Sequence, residues 1–254
     1  MFGLLFIATL KMLLRDPEWT RKIPVGGLMI FAPTLALTVL LSVEMPGLLI
    51  PAVIAGGILP MLAGWGYVFH IFVEALNGVE APRLPEWKNW QSFVLGGFWL
   101  FLIVLGLFLI VLVLIILAGV AMTLLVTVLG MTPSGEGGGQ MGGALFLMMI
   151  ASVLLNACFP IVFARFAATE RILAAFHPGL FWMDIKRLVR GIYIQACVGF
   201  CVMSLLVKLV LGEIPYVGLV LVSVALFLLM LVFALVFGKL IGAQEQPHLP
   251  PQQR

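Results

Sequence analysis

Charged side chains are scarce in this sequence: they make up 10% of its 254 residues, whereas hydrophobic residues make up 63%. A soluble domain usually carries about 25% charged residues to cover its surface. A protein core cannot bury this much apolar side chain, so lipid must solvate the rest. The composition therefore predicts an all-α, polytopic bundle of transmembrane helices. The lack of a separate basic stripe argues against a nucleic-acid partner.

Cysteine and histidine are also few, with three of each. All three cysteines lie in apolar runs, and an odd number argues against a disulfide framework. Cys197 and Cys201 are spaced like two metal ligands on one helix face, but no histidine or third thiol adjoins them in sequence, which favours helix packing. No zinc-protease, nucleophile-elbow or phosphate-loop motif occurs. We therefore predict no catalytic, cofactor or metal site, and a protein that is not an enzyme.

Six apolar runs approach or exceed the ~20 residues that a membrane-spanning helix needs. The N-terminal residues 1–14 are too short to cross and are expected to lie in the membrane interface. Residues 1–242 are expected to form one transmembrane domain, and residues 243–254, dominated by Pro and Gln, a disordered cytoplasmic tail. The predicted spans are residues 24–43, 47–76, 98–130, 143–166, 191–211 and 216–241.

The third run decides the predicted topology, because its length could hold two minimal helices. It contains no Pro, Asn or Asp where a tight turn would fall, and an exposed turn within hydrocarbon is costly. If the run is one helix, every Lys and Arg except Lys208 faces the same side of the membrane. The positive-inside rule then places both termini in the cytoplasm, with the protein in the inner (plasma) membrane.

A short motif recurs before the apolar spans and indicates an internal repeat. Pro17-Glu18-Trp19 precedes Gly26-Gly27, Pro85-Glu86-Trp87 precedes Gly96-Gly97, and a weaker third copy has Phe181-Trp182 before Gly191. Each copy is predicted to be an interfacial elbow helix whose tryptophan lies at the headgroup level and whose glycine permits close packing of the next span. The expected interfacial tryptophans are Trp19, Trp87, Trp90 and Trp182. The two-span repeat would be parallel, which weakly disfavours a secondary transporter.

These motifs resemble a prokaryotic membrane family known as domain of unknown function 4013. The resemblance rests on Asp16-Pro17-x-Trp19 with Lys22-Ile23-x-x-Gly26-Gly27-Leu28 and Pro33, on Gly66-Tyr67 followed by Leu84-Pro85-Glu86-Trp87-x-x-Trp90 and Gly96-Gly97, and on Phe159-Pro160 with Ala174-Ala175-Phe176. It covers roughly residues 16 to 240. The resemblance implies the membrane architecture and brings no activity with it.

Ionisable residues at membrane depth are candidate functional residues, because placing them there is costly. His70 and Glu74 lie four residues apart on the second span, and Arg165, Glu170 and Arg171 lie at the end of the fourth. We predict a candidate polar vestibule that faces the cytoplasm and binds an anionic headgroup or solute. The alternative, which we favour, is that these side chains reach the headgroups and pair with one another.

Two further groups are candidates for contacts with lipids or with other proteins. Lys186, Arg187 and Arg190 form a basic elbow that would attract anionic lipid headgroups at about 1 kcal/mol per residue, although they could instead serve topology alone. Small or kinking residues are expected to pack helices within the bundle or against a partner, and they are Gly56, Pro60, Gly64 and Pro160.

The favoured function is a non-enzymatic scaffold or accessory subunit of a membrane complex, with anionic membrane lipids and other membrane proteins as partners. The alternative is a component of a lipid or small-solute transporter or permease that uses the polar vestibule. An enzyme acting on lipid is the least favoured of the three.

Overall fold

The computed structural model describes residues 2–42, 50–79, 83–128, 157–188, 191–214 and 217–245, and these form helices and connections with no strand among them. The all-helical prediction is confirmed. A turn of 3-10 helix at Trp87–Asn89 precedes the fifth helix. The helices are α1 (Phe2–Leu13), α2 (Trp19–Ile30), α3 (Ala32–Ser42), α4 (Ile50–Leu76), α5 (Trp90–Val128), α6 (Ala157–Thr169), α7 (Ile172–Ala175), α8 (Pro178–Leu188), α9 (Gly191–Gly212) and α10 (Gly218–Glu245).

Four stretches within the described residues are long and apolar enough to cross a membrane, which supports an integral membrane protein. They are Gly56–Leu76, Trp87–Ala121, Gly191–Gly212 and Gly218–Ala243. They correspond to the predicted second, third, fifth and sixth spans. α10 continues to Glu245, past the predicted end of the transmembrane domain, and the rest of the predicted tail lies outside the described residues.

The other two predicted spans differ from the expectation or are only partly described. The first is divided, because α2 ends at Ile30 and α3 begins at Ala32. Pro33 has no backbone N–H to continue the helical hydrogen bonds and disfavours helical geometry in the residue before it, which accounts for the break. Residues 143–156 of the fourth span lie outside the described residues, and its remainder lies in α6. The count of six spans stays a prediction.

The described part of the long apolar third run, as far as Val128, forms one unbroken helix, as the lack of turn residues predicts. α5 extends for 39 residues from Trp90 to Val128. It begins eight residues before the predicted start of the span at residue 98, because the elbow leads directly into the helix. Its first part packs against α4 and α6 through Leu100, Ile103 and Leu107, which are all buried.

α4 and α10 are the central helices of the bundle. Tyr67 and Ile71 of α4 and Phe227 and Leu231 of α10 are almost completely inaccessible to solvent. α10 contacts α1, α2, α4 and α9. α1 lies against α10 with its phenylalanine side chains facing Phe233. The core therefore follows the α4–α10 contact, with the remaining helices arranged around it.

Glycines bring α4 and α5 into direct backbone contact. A Cβ atom on Gly97 would overlap the carbonyl oxygen of Leu62, and one on Gly66 would overlap the carbonyl oxygen of Phe93. Gly96 is different, because a Cβ atom there would meet only the Cα of Gly66, at 3.8 Å. Close packing of this kind holds helices together in a membrane, where water supplies no hydrophobic driving force.

The predicted packing residues have different surroundings. A Cβ atom on Gly64 would lie 3.0 Å from the side chain of Ile30, so Gly64 lies at the contact with α2. A Cβ atom on Gly56 would meet no described atom within 4 Å, whereas one on the adjacent Gly57 would lie 2.9 Å from Pro33. Pro60 lies within α4. The packing role of Gly56 stays a prediction, and the close contact with α3 belongs to Gly57.

The three copies of the predicted repeat also differ locally. Gly26 and Gly27 pack against α10, as Gly97 packs against α4. Gly191 begins α9 and would meet no described atom within 4 Å if it carried a Cβ. The third copy lies in a separate helix, α8, so it does not lead directly into its span as the second does. The internal repeat stays a prediction.

We expect Gly97→Ala to destabilise the protein by about 1–3 kcal/mol, because the added methyl group must push α4 and α5 apart. Gly96→Ala adds the same methyl group one position earlier, where there is room, and is the matched control. SDS-induced unfolding of both variants in detergent micelles measures the difference. Equal stability of the two variants would contradict the close α4–α5 contact.

Candidate functional site at the charged end of the bundle

Charged residues gather at one end of the bundle, where α4 and α10 finish and α2 and α5 begin. We call this the charged end. Gly242 of α10 lies against the last residue of α4, Leu76, so these two helices finish together. The indole Nε1 of Trp87, just before α5, donates a hydrogen bond to the carbonyl oxygen of Lys22, in the first turn of α2, at 3.3 Å.

A buried ion pair lies at the centre of the charged end. The ammonium group of Lys22 is 3.3 Å from Oδ2 of Asp16, and each side chain is only 10% exposed. Lys22 Nζ also donates a hydrogen bond to the carbonyl oxygen of Leu84 at 2.8 Å. A buried charge is tolerated when it is paired and its remaining hydrogen-bonding capacity is used. Both conditions hold for this lysine.

Asp16 completes the contact with the same loop. Its Oδ2 accepts a hydrogen bond from the backbone N–H of Leu84 at 3.2 Å, and its Oδ1 accepts one from the N–H of Glu18 at 2.8 Å. Lys22 and Asp16 therefore bind both the carbonyl and the amide of Leu84. We call Asp16, Lys22 and Leu84 the elbow lock, because they fasten the α1–α2 connection to the loop that leads into α5.

Aromatic side chains fix the next residues of this loop. The rings of Tyr67 and Trp87 stack with their centroids 4.3 Å apart and their planes 17° from parallel. The hydroxyl of Tyr67 donates a hydrogen bond to the carbonyl oxygen of Pro85 at 3.1 Å. Trp87 is partly buried and packs against the main hydrophobic core. The Leu84-Pro85-Glu86-Trp87 motif is thus held by α2, α4 and the residues before α2.

Sequence reasoning did not identify the elbow lock as a unit. Asp16, Lys22, Leu84 and Tyr67 all occur in the quoted family motifs, which was the available signal. No helical or turn spacing links them, however, since Lys22 and Leu84 are 62 positions apart. The contact depends on how two connections meet in space.

Lys22→Met should destabilise the protein by about 3–5 kcal/mol, because it leaves the Asp16 carboxylate buried without its cation. Lys88→Gln is the matched control. The Lys88–Glu86 pair, 2.9 Å apart, is largely exposed, and breaking an exposed pair costs about 0–1 kcal/mol. SDS-induced unfolding measures both changes, and a loss no larger for Lys22→Met than for Lys88→Gln would refute the role of the elbow lock.

The residues of the predicted vestibule fall into two groups. His70 Nε2 lies 3.3 Å from Glu74 Oε1 on α4. Arg165 at the end of α6 pairs with Asp184 of α8 and donates a longer hydrogen bond, 3.4 Å, to the carbonyl of His177. Among the described residues no ion pair or hydrogen bond joins His70 or Glu74 to Arg165. A single vestibule stays a prediction.

The last two vestibule residues lie beyond α6. Glu170 has a positive φ of 52°, and its backbone N–H donates to the carbonyl of Phe166 as α6 ends. The N–H of Arg171 donates to the hydroxyl of Thr169 at 3.4 Å. Both side chains are exposed. They therefore lie at the surface of a turn, where water and headgroups can solvate their charges.

Two grooves flank the His70–Glu74 pair. His70 lines a groove of about 590 Å³ together with Glu86, Lys88 and Asn89 of the elbow. Glu74 lines another of about 830 Å³, shared with the elbow lock and the arginines Arg15 and Arg83. Oε2 of Glu74 is buried and has no hydrogen-bond partner within the described part of the chain.

The hydrogen bond from Lys88 and its positive charge lower the pKa of the Glu86 carboxyl from its ordinary value of 4.5.

The basic elbow carries exposed apolar and basic side chains together. In α8, Trp182 and Met183 are exposed, and the ammonium of Lys186 lies 5.3 Å from the centre of the Trp182 ring. Arg187 is exposed, and Arg190 lies outside the described residues. Of the other predicted interfacial tryptophans, Trp90 is exposed and Trp19 is partly buried. An exposed apolar surface beside basic residues suits a membrane interface with anionic lipid.

The described residues contain no group of three or more His, Cys, Asp or Glu side chains that could hold a metal ion. Cys158, Cys197 and Cys201 are free thiols. The features that the structure shows at the charged end are ion pairs, hydrogen bonds to the backbone and two open grooves.

A family model described as a protein of unknown function (DUF4013) matches residues 48–216, which is more than half of the chain. The match contains the Gly66-Tyr67, Leu84-Pro85-Glu86-Trp87 and Phe159-Pro160 motifs, and it leaves Asp16 and Lys22 outside. No curated protein and no solved structure matches the chain.

Proposed function

The chain belongs to the DUF4013 family of proteins of unknown function, and from its own geometry we propose that it is a non-enzymatic scaffold or accessory subunit of a membrane complex. In this proposal the charged end faces the cytoplasm, as the positive-inside rule favours, and α5 is the surface that a partner membrane protein covers. The observation that carries the proposal is the length of α5.

α5 carries more apolar helix than the hydrocarbon layer of a bilayer covers. From Phe93 to Val128 it contains no charged residue. At a rise of 1.5 Å per residue, this stretch is about 54 Å long. A hydrocarbon layer about 30 Å thick covers only about 39 Å of a helix tilted by 40°, the upper end of the usual range. About 15 Å of apolar helix then lies outside the hydrocarbon layer, and in our proposal a partner protein covers it.

The outer part of α5 is also open in the described structure. Beyond Leu107, no α5 side chain that the structure describes is buried. Val113, Leu117 and Leu124 are each more than half exposed. The helix is thus anchored by its first part, and the side chains that the structure describes beyond Leu107 form an apolar surface that this chain leaves uncovered. This arrangement suits a helix that binds a second membrane protein side by side.

The two ion pairs with little exposure agree with a structural role. Lys22 and Arg165, the cations with little exposure, each bind a carboxylate and a backbone carbonyl of this chain. A cation used in this way contributes to holding two connections together and is less available to a ligand. This supports the alternative that these charges pair with one another.

A photo-reactive amino acid at position 117 should give a crosslink to another membrane protein in intact cells. Position 209 is the matched control, since Leu117 and Leu209 are exposed to similar extents, 59% and 57%, on different helices. We expect a protein adduct from position 117 and lipid adducts from position 209. Gel shifts and mass spectrometry identify the adducts. Lipid adducts alone from both positions would contradict the proposal.

The second candidate is a lipid or small-solute transporter, and the unpartnered Oε2 of Glu74 beside the 830 Å³ groove favours it. The two functions differ in what Glu74→Gln should do. A scaffold keeps both its crosslink at position 117 and its cellular phenotype when Glu74 loses its charge. A transporter keeps its fold but loses the phenotype and the uptake of solute by reconstituted vesicles.

A further inference from the structure

A cation lies in a groove at the end of the bundle opposite the charged end. Lys208 is four residues before the end of α9, is exposed, and has no ion pair or hydrogen bond to any described residue. The groove has a volume of about 370 Å³ and lies between α9, α10 and the break that separates α2 from α3. Phe31, Leu226 and Met230 form its apolar wall, and Lys208 contributes the charge.

The groove also contains a hydroxyl group without a partner. Ser204 is one helical turn from Lys208, so the two side chains lie on the same face of α9. The Ser204 Oγ is buried and makes no hydrogen bond within the described residues. Buried polar groups in folded proteins are nearly always hydrogen-bonded, so an unpaired one needs an explanation. An anionic group bound at Lys208 would provide the missing acceptor.

A second cavity adjoins the groove toward the middle of the membrane. Phe200 and Met230 line both spaces. On α9, Phe200 is the groove residue farthest from Lys208. On α10, the residues that line the second cavity continue past Met230 to Phe233 and Phe237. The second cavity has a volume of about 160 Å³, and its lining is almost wholly apolar. An apolar cavity of about 150 Å³ in another protein stays dry and accepts a hydrocarbon ring.

We propose that this groove binds one anionic phospholipid, with its phosphate on Lys208 and Ser204 and an acyl chain passing Phe200 and Met230 into the aromatic cavity. Lys208 and Phe200 are eight residues apart, about 12 Å along the helix. One leaflet contributes about 15 Å of hydrocarbon. An acyl chain that begins at the level of Lys208 therefore reaches the second cavity. The site goes beyond the scaffold function and does not depend on it.

Native mass spectrometry of the full chain, released from micelles that contain phosphatidylglycerol or phosphatidylcholine, tests the site. We expect one phosphatidylglycerol to remain bound where phosphatidylcholine does not. Lys208→Gln should lower this retention about tenfold, the usual effect of losing one charge-assisted hydrogen bond. Lys11→Gln removes an exposed cation from the last turn of α1 and is the matched control, with retention unchanged. Ser204→Ala should lower retention less than Lys208→Gln does.

Two further measurements distinguish a bound lipid from a bound free anion. Ala234→Leu fills part of the apolar cavity without changing any charge, and it should also lower retention of phosphatidylglycerol. Inorganic phosphate in excess should not displace the lipid. Unchanged retention in Lys208→Gln, or an equal loss in Lys11→Gln, would overturn the proposal. Displacement of the lipid by phosphate, or a co-purified protein that occupies the groove in its place, would overturn it as well. SDS-induced unfolding of Ala234→Leu, compared with the wild-type protein, distinguishes a filled cavity from a misfolded chain.

Discussion

The buried contact of Lys22 with Asp16 and the Leu84 carbonyl is the interaction on which the arrangement of the helices depends. It joins two connections that are far apart in sequence, and in doing so it sets where the chain enters α5. Arg165 repeats the same chemistry at the end of α6, with Asp184 as its carboxylate and His177 as its carbonyl. In both places a cation satisfies a backbone carbonyl of a connection between helices, where an unpaired polar group would be costly.

Close packing at glycines then sets how the helices beyond the elbow lie against one another. Once the elbow is fixed, Gly97 of α5 meets the backbone of α4 near Leu62, and Gly238 and Gly242 of α10 meet the last turns of the same helix. Through these glycines α4 is in backbone contact with both α5 and α10. Among the described residues, α5 is supported along its first part only, and in our proposal its outer apolar surface is left for lipid and for a partner. The function that we infer follows from this uneven support.

Much of the helical framework could be predicted from the sequence, because long apolar runs and the lack of turn residues are local signals. α4, α5, α9 and α10 follow from them, and Gly26-Gly27 and Gly96-Gly97 were expected at helix contacts. The elbow lock could not be predicted, since it joins residues of two connections whose meeting depends on the whole fold. Gly57 could not be distinguished from Gly56, because adjacent glycines give no side-chain pattern that indicates which one faces α3. The importance of Ser204 and Phe200 likewise depends on cavities that form between helices.

Hydrogen exchange at the backbone amide of Leu84 tests the elbow lock most directly. This amide lies in a connection without regular secondary structure, where exchange is ordinarily fast, yet it donates to the Asp16 carboxylate at 3.2 Å. We predict slow exchange for Leu84 in the wild-type protein, and fast exchange when Asp16→Ala removes the acceptor. Fast exchange of Leu84 in the wild-type protein would contradict the account.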